Sequence, residues 1–161
     1  MGIVNVTEDS FSDGGRYVQA ERAIEHGMRL REEGADILDI GGESTRPGAQ
    51  PVPGEVELER VLKVVAGLRD CGAALSVDTM KPEVMRAALA AGADMINDVN
   101  ALRAPGAWEV VAASDCGLCL MHMQGEPRTM QADPRYMDVV AEVAGFLGDA
   151  LDIAGRHGVA D

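Results

Sequence analysis

The sequence is short of aromatic side chains, of positive charge and of long apolar runs, and each shortage excludes something. Phe, Trp and Tyr are 3% of 161 residues, too few for an aromatic-rich sandwich core. Ala, Val, Leu and Gly are left to fill the interior, which suits small side chains packed between strands and helices. Lys and Arg number 14 against 27 Asp and Glu, a formal charge of −13. Phosphate backbones and anionic headgroups do not attract such a surface, so no nucleic-acid or membrane partner is expected, and any bound anion needs local donors. No apolar stretch approaches the roughly 18 residues of a membrane span, and MGIVNVTEDS lacks the basic and apolar regions of a signal peptide. The cytoplasm is the expected location.

The 3 cysteines are an odd number in a chain with a sizeable core, which is no disulfide framework. Cys116-Gly-Leu-Cys119 has C-x-x-C spacing, but it runs into a strand instead of opening a helix, which disfavours redox or zinc chemistry. Low-complexity segments are absent. Gly14-Gly15 in SDGGRY is too small a signal for a phosphate-loop fingerprint.

What is present is a rhythm. GADILDIGGE, CGAALSVDT, GADMINDVN and CGLCLMHMQ each run from a glycine through an apolar stretch to a polar end. Gly34 and Gly92 both follow segments of helical spacing, so each is expected to be the left-handed cap of a helix that feeds the next strand. Between the strands, Ala20, Ala23, Ile24, Gly27 and Leu30 share one helical face, and Leu58, Val61, Leu62, Val65 and Leu68 share another. KPEVMRAALAAG places Pro82 where a first helical turn tolerates it. A weaker helix is expected over 106–114. In the last helix Val139, Val143, Phe146, Leu147, Ala150 and Ala154 form the apolar face, ending at Gly155.

With MGIVN as the first strand there are five strand-plus-helix units, and their strands are too apolar to keep one face in water. Such runs fit a parallel sheet covered by helices. The expected fold is α/β, a TIM (β/α)8 barrel of which the chain carries about the first five βα units, since a whole barrel takes about 250 residues. Residues 1–161 are expected to be a single barrel domain, C-terminally incomplete, stopping where a sixth strand should begin. An open flavodoxin-like sheet remains the alternative.

A βα barrel delivers every strand's C-terminal end to one face. The polar endings are Asn5, Asp39 with Glu43-Ser44-Thr45-Arg46, Asp78-Thr79, Asn97-Asp98 and His122. Each has an ordinary explanation. Asp39 can be a paired buried carboxylate, Asp78 a helix cap, Asn97 and Asp98 loop-backbone partners, and His122 a hydrogen-bonded core histidine. A shared explanation at five equivalent positions is better, because each unpaired polar group near a core costs about 1–3 kcal/mol. Asp beside Asn suits a heterocycle carrying amino and oxo groups, while Thr45, Arg46 and the turn amides at Gly41-Gly42 offer donors to phosphate.

MGIVNVTEDSFSDGG, GADILDIGGESTRPGA, SVDTMKPEV, GADMINDV and LMHMQGEPRTMQ, in this order, closely resemble the dihydropteroate synthase family of pterin-binding barrels, and the resemblance spans nearly the whole chain. It implies condensation of 7,8-dihydropterin-6-ylmethyl diphosphate with p-aminobenzoate to 7,8-dihydropteroate and pyrophosphate in folate biosynthesis. It also implies Mg²⁺ and a dissociative path in which the diphosphate departs first. Carried over by residue, Asn5 lies beside the metal and diphosphate, Thr45 and Arg46 belong to the second catalytic loop, and Asp78, Asn97 and Met121 bind the pterin. Phe11 and Pro47 would enclose the p-aminobenzoate ring, where sulfonamides compete. The family's full-length protein implies a homodimer. Glu8 stands where many relatives have proline. The later Asp-Pro-Gly, Ser-Arg-Lys and Arg-x-His motifs have no counterpart here, so the isolated chain is expected to lack full activity, and Lys81 and Arg103 are not substitutes for those basic groups. The rivals are a pterin-barrel methyltransferase acting from methyltetrahydrofolate to a corrinoid, and a noncatalytic fragment of the same fold.

Overall fold

The structure, a computed structural model, describes residues 1–6, 15–43 and 51–159. Strands and helices alternate along it: β1 (Gly2–Asn5), α1 (Gly15–Glu32), β2 (Ile37–Gly41), α2 (Gly54–Leu68), β3 (Ala74–Asp78), α3 (Pro82–Ala91), β4 (Met95–Asp98), α4 (Ala107–Ala112), β5 (Gly117–Leu120) and α5 (Val139–Arg156). The strands lie side by side in chain order, and each neighbouring pair is parallel. A doubly wound sheet reverses its strand order at a switch point. This sheet has no reversal, so the flavodoxin-like alternative falls and the chain holds five consecutive units of a βα barrel.

Alternation along the strands divides the sheet into two unlike faces. Val4, Leu38, Ile40, Leu75, Val77 and Ile96 point outward and are fully buried beneath the helices. Val61, Val64 and Leu68 of α2 and Val84, Met85 and Ala88 of α3 complete this layer. The opposite face carries Asn5, Asp39, Ser76, Asp78 and Asn97, and of its apolar residues Ile3 is 50% exposed and Ile37 and Met95 are only partly buried. The core is therefore between sheet and helices, and the polar residues line the concave side.

The helix ends follow from local chemistry. Gly34 (φ 103°) and Gly92 (φ 106°) adopt the left-handed conformation that disfavours a β-carbon. At Gly92 its N–H donates to Leu89 O at 3.1 Å and Ala93 N–H to Ala88 O at 3.0 Å, closing α3 and releasing the chain into β4. Pro82 stands in the first turn of α3, as expected. The last helix departs from the sequence reading: it passes through Gly155 to Arg156, and the positive φ falls at Gly158. Its apolar stripe is also less covered than expected, with only Ala150 buried and Val139 51% exposed. The reason is that β5, on which it follows, is an edge strand whose residues alternate between exposed and partly buried.

Candidate functional site

Parallel register sets Asn5, Gly41, Asp78, Asn97 and Cys119 in one row across the C-terminal ends of the strands. Gly41 leaves a gap in that row. A β-carbon on it would lie 3.2 Å from Asn5 Oδ1 and 3.8 Å from Asp78 Cβ, so Asn5 and Asp78 flank a place with no side chain of its own.

One row deeper, Asp39 is 5% exposed and fully engaged. Its Oδ1 accepts from Ser76 Oγ at 2.6 Å, and its Oδ2 accepts from Asn97 Nδ2 at 3.0 Å. Asp39 is thus a paired buried carboxylate, and its pairing fixes the plane of the Asn97 amide. Sequence reasoning passed over Ser76, although it stands two residues before Asp78 on the same face of β3.

Asp78 is the unsatisfied member. Its Oδ1 is buried and has no hydrogen-bond partner among the described residues. Burial, followed by the neighbouring charges of Asp39, Asp98, Glu57 and Glu43, pushes its carboxyl up to about 7. Both protonation states are accessible near neutrality, so this group can accept or donate a hydrogen bond. It does not cap α3: the N-cap is Lys81, whose N–H donates to Thr79 Oγ1 at 3.2 Å.

Other polar strand ends have structural occupations. Asp98 is fully buried and accepts from Asn100 N at 2.7 Å and Leu102 N at 2.8 Å. It thereby holds a turn in which Ala101 and Leu102 both have positive φ. Burial raises its pKa, and these two backbone bonds oppose the rise. His122 lies edge-on to Phe146, with ring centroids 5.0 Å apart, and near Tyr136 at 5.8 Å. Met121 is partly buried just past β5, and its N–H donates to Asp98 O at 3.3 Å. Phe11, Thr45, Arg46 and Pro47 lie outside the described residues.

Beside the row is a partly buried ionic cluster that the sequence reading missed. Lys81 Nζ binds both Glu43 and Glu57, and Thr79 Oγ1 donates to Glu57 Oε1 at 2.5 Å. Glu57 is 1% exposed. Burial raises its pKa, opposed by Lys81 and Thr79. On Lys81 burial acts downward, but the bonds to Glu43 and Glu57 outweigh it and the ammonium is retained. The sequence did carry a signal: Glu57 falls on the same helical stripe as Val61, Val64 and Leu68, where a carboxylate is out of place.

The sequence profile described as Pterin binding enzyme matches residues 1–161. The chain belongs to the pterin binding enzyme family. Among its relatives, the dihydropteroate synthase of Neisseria meningitidis serogroup B is 56% identical over 150 residues, covering 91% of this chain and 53% of that protein. The Xanthomonas albilineans dihydropteroate synthase solved with 4-aminobenzoic acid is 58% identical at a TM-score of 0.88, covering 99% of this chain and 57% of that one. The Burkholderia cenocepacia dihydropteroate synthase complexed with 7,8-dihydropteroate is 50% identical at a TM-score of 0.87, covering 99% and 54%. This pterin binding enzyme chain thus spans about half the length of the curated relatives it matches. Among its described residues no helix is long and apolar enough to cross a membrane, and all three cysteines are free.

Proposed function

We propose that the chain is the pterin-binding portion of a dihydropteroate synthase, which joins 7,8-dihydropterin-6-ylmethyl diphosphate to p-aminobenzoate and releases pyrophosphate. One observation carries the reading: a buried, unpaired Asp78 oxygen beside an Asn97 amide fixed by Asp39, at the gap over Gly41. An acceptor or donor next to an amide matches the amino-oxo edge of a pterin, and prefixed polar groups bind without reorganising. The 4-aminobenzoic acid and 7,8-dihydropteroate bound to the two solved relatives support the substrate and product.

In this reading Met121 lines the pterin pocket, Thr45 and Arg46 receive the diphosphate, and Phe11 and Pro47 enclose the aminobenzoate ring, where sulfonamides compete. Asn5 offers a hard amide oxygen at the rim, and among the described residues no three His, Cys, Asp or Glu converge to hold an ion by themselves. That donor set fits Mg²⁺ held mostly by water and substrate phosphate. Bound there, the ion stabilises charge on the leaving diphosphate, which supports a dissociative course. A cytoplasmic location and a homodimer of the full-length protein belong to the same reading.

The test combines titration with turnover. The 161-residue chain is expected to bind the pterin diphosphate saturably and to release pyrophosphate slowly at most when p-aminobenzoate and Mg²⁺ are added. Robust turnover would overturn the need for the family's later basic motifs. Methyl transfer from methyltetrahydrofolate to a corrinoid, with no pyrophosphate formed, would establish the rival enzyme.

A further inference from the structure

The partly buried ionic cluster beside the row joins three separate elements. Glu43 follows the end of β2, Glu57 stands in α2, and Lys81 and Thr79 occupy the turn from β3 to α3. The lysine's stem also runs close to the start of α2: a β-carbon on Gly54 would lie 3.6 Å from Lys81 Cδ. α2 approaches the end of β2 as closely, since a β-carbon on Gly42 would meet Glu57 Cγ at 2.9 Å and Glu57 O at 3.2 Å. Arg60 Nη1 adds a donor to Gly42 O at 3.1 Å.

An ion pair with one partner buried, as Glu57 is here, contributes little to net stability, because desolvation offsets most of its attraction. Its effect is to specify geometry, since removing one partner leaves a charge uncompensated. We infer that Lys81 is a positioning residue: by clasping Glu43 to Glu57 next to Thr79, it holds the ends of β2 and β3 in the register that sets Asp78 beside Gly41 and Asn97. The relevance of this register to substrate rests on the pterin reading above. The clasp itself does not.

Two backbone bonds report on how firmly the ends of β3 and β2 are held, one to β4 and one to the residue after β1. Thr79 N–H donates to Asn97 O at 3.1 Å, and Val6 N–H donates to Gly41 O at 2.8 Å. Amide hydrogen exchange by NMR is measured on the wild-type chain, on Lys81→Arg, and on Lys81→Met combined with Glu57→Gln, which leaves no buried charge on Glu57. The double variant is expected to exchange at least tenfold faster at Thr79 and Val6 and unchanged at Ile40 and Val77 in the strand interiors, with Lys81→Arg near wild type. No acceleration at Thr79, equal acceleration at all four amides, or failure of the double variant to fold would overturn the proposal, the last two because the cluster would then serve stability alone. A parallel pterin titration separates the two readings. A wild-type chain that binds no pterin removes the proposed function, and the exchange data still decide the role of Lys81.

Discussion

Asp78 is a largely buried carboxyl whose burial makes stability depend on pH. Its carboxyl, normally at 3.8, is held near 7 by burial and by the surrounding acids. Between these values the folded chain retains a proton that the unfolded chain has lost, so this residue makes stability fall as pH rises from about 4 to about 7. Asp78→Asn removes the penalty. The variant should gain about 1–3 kcal/mol over wild type at pH 8 and almost nothing at pH 4, the full shift being relieved by partial exposure to water. Urea denaturation at the two pH values checks this, and a gain independent of pH would show that Asp78 is ionised at no cost. Asp39 and Asp98, equally acidic in sequence, have their partners, which only the fold reveals. The barrel reading placed Asp39 and Asp78 toward one end of the strands, but the bond from Ser76 that sets Asp39 apart joins residues on different strands.

At the scale of elements, most of the fold was legible. Glycine after a helical stripe marked the left-handed caps at Gly34 and Gly92, and apolar strands with polar ends marked a covered parallel sheet. Less legible was where helices and strands nearly touch, because a short interaxial distance leaves only a glycine in the sequence. Gly42 is such a place, with Glu57 Cγ and Val61 Cγ2 within 2.9 and 3.0 Å of a β-carbon built there. Gly42→Ala should therefore cost about 1–3 kcal/mol by overpacking, read as a fall in the denaturation midpoint; a neutral result would mean that α2 can move away from β2. The last helix was misjudged for a related reason. An apolar stripe records what a helix can bury, and β5 offers little to bury it against. With Val139 51% exposed and Val143, Phe146 and Leu147 only partly buried, amides of α5 should exchange at least 100-fold faster than those of α2, which buries Val61, Val64, Val65 and Leu68, since local opening follows buried apolar contact. Comparable protection in the two helices would contradict that assignment.

For the molecule as a whole, the unbroken strand order is what gathers scattered polar endings into one row. Parallel strands in chain order put Asn5, Asp78 and Asn97 in one row, and the helices pack on the opposite face of the sheet. The sequence motifs marked these three positions in advance. They marked Glu43 as a polar ending but not its pairing with Lys81 and Glu57, because an ion pair spread over three elements leaves no pattern that joins its members. The most direct measurement is isothermal titration of a reduced pterin into the wild-type chain and Asp78→Asn at pH 7. The account predicts saturable binding by wild type, weakened at least tenfold in the variant while its stability rises. Absence of binding by the folded wild type, or equal affinity in the two proteins, would contradict it.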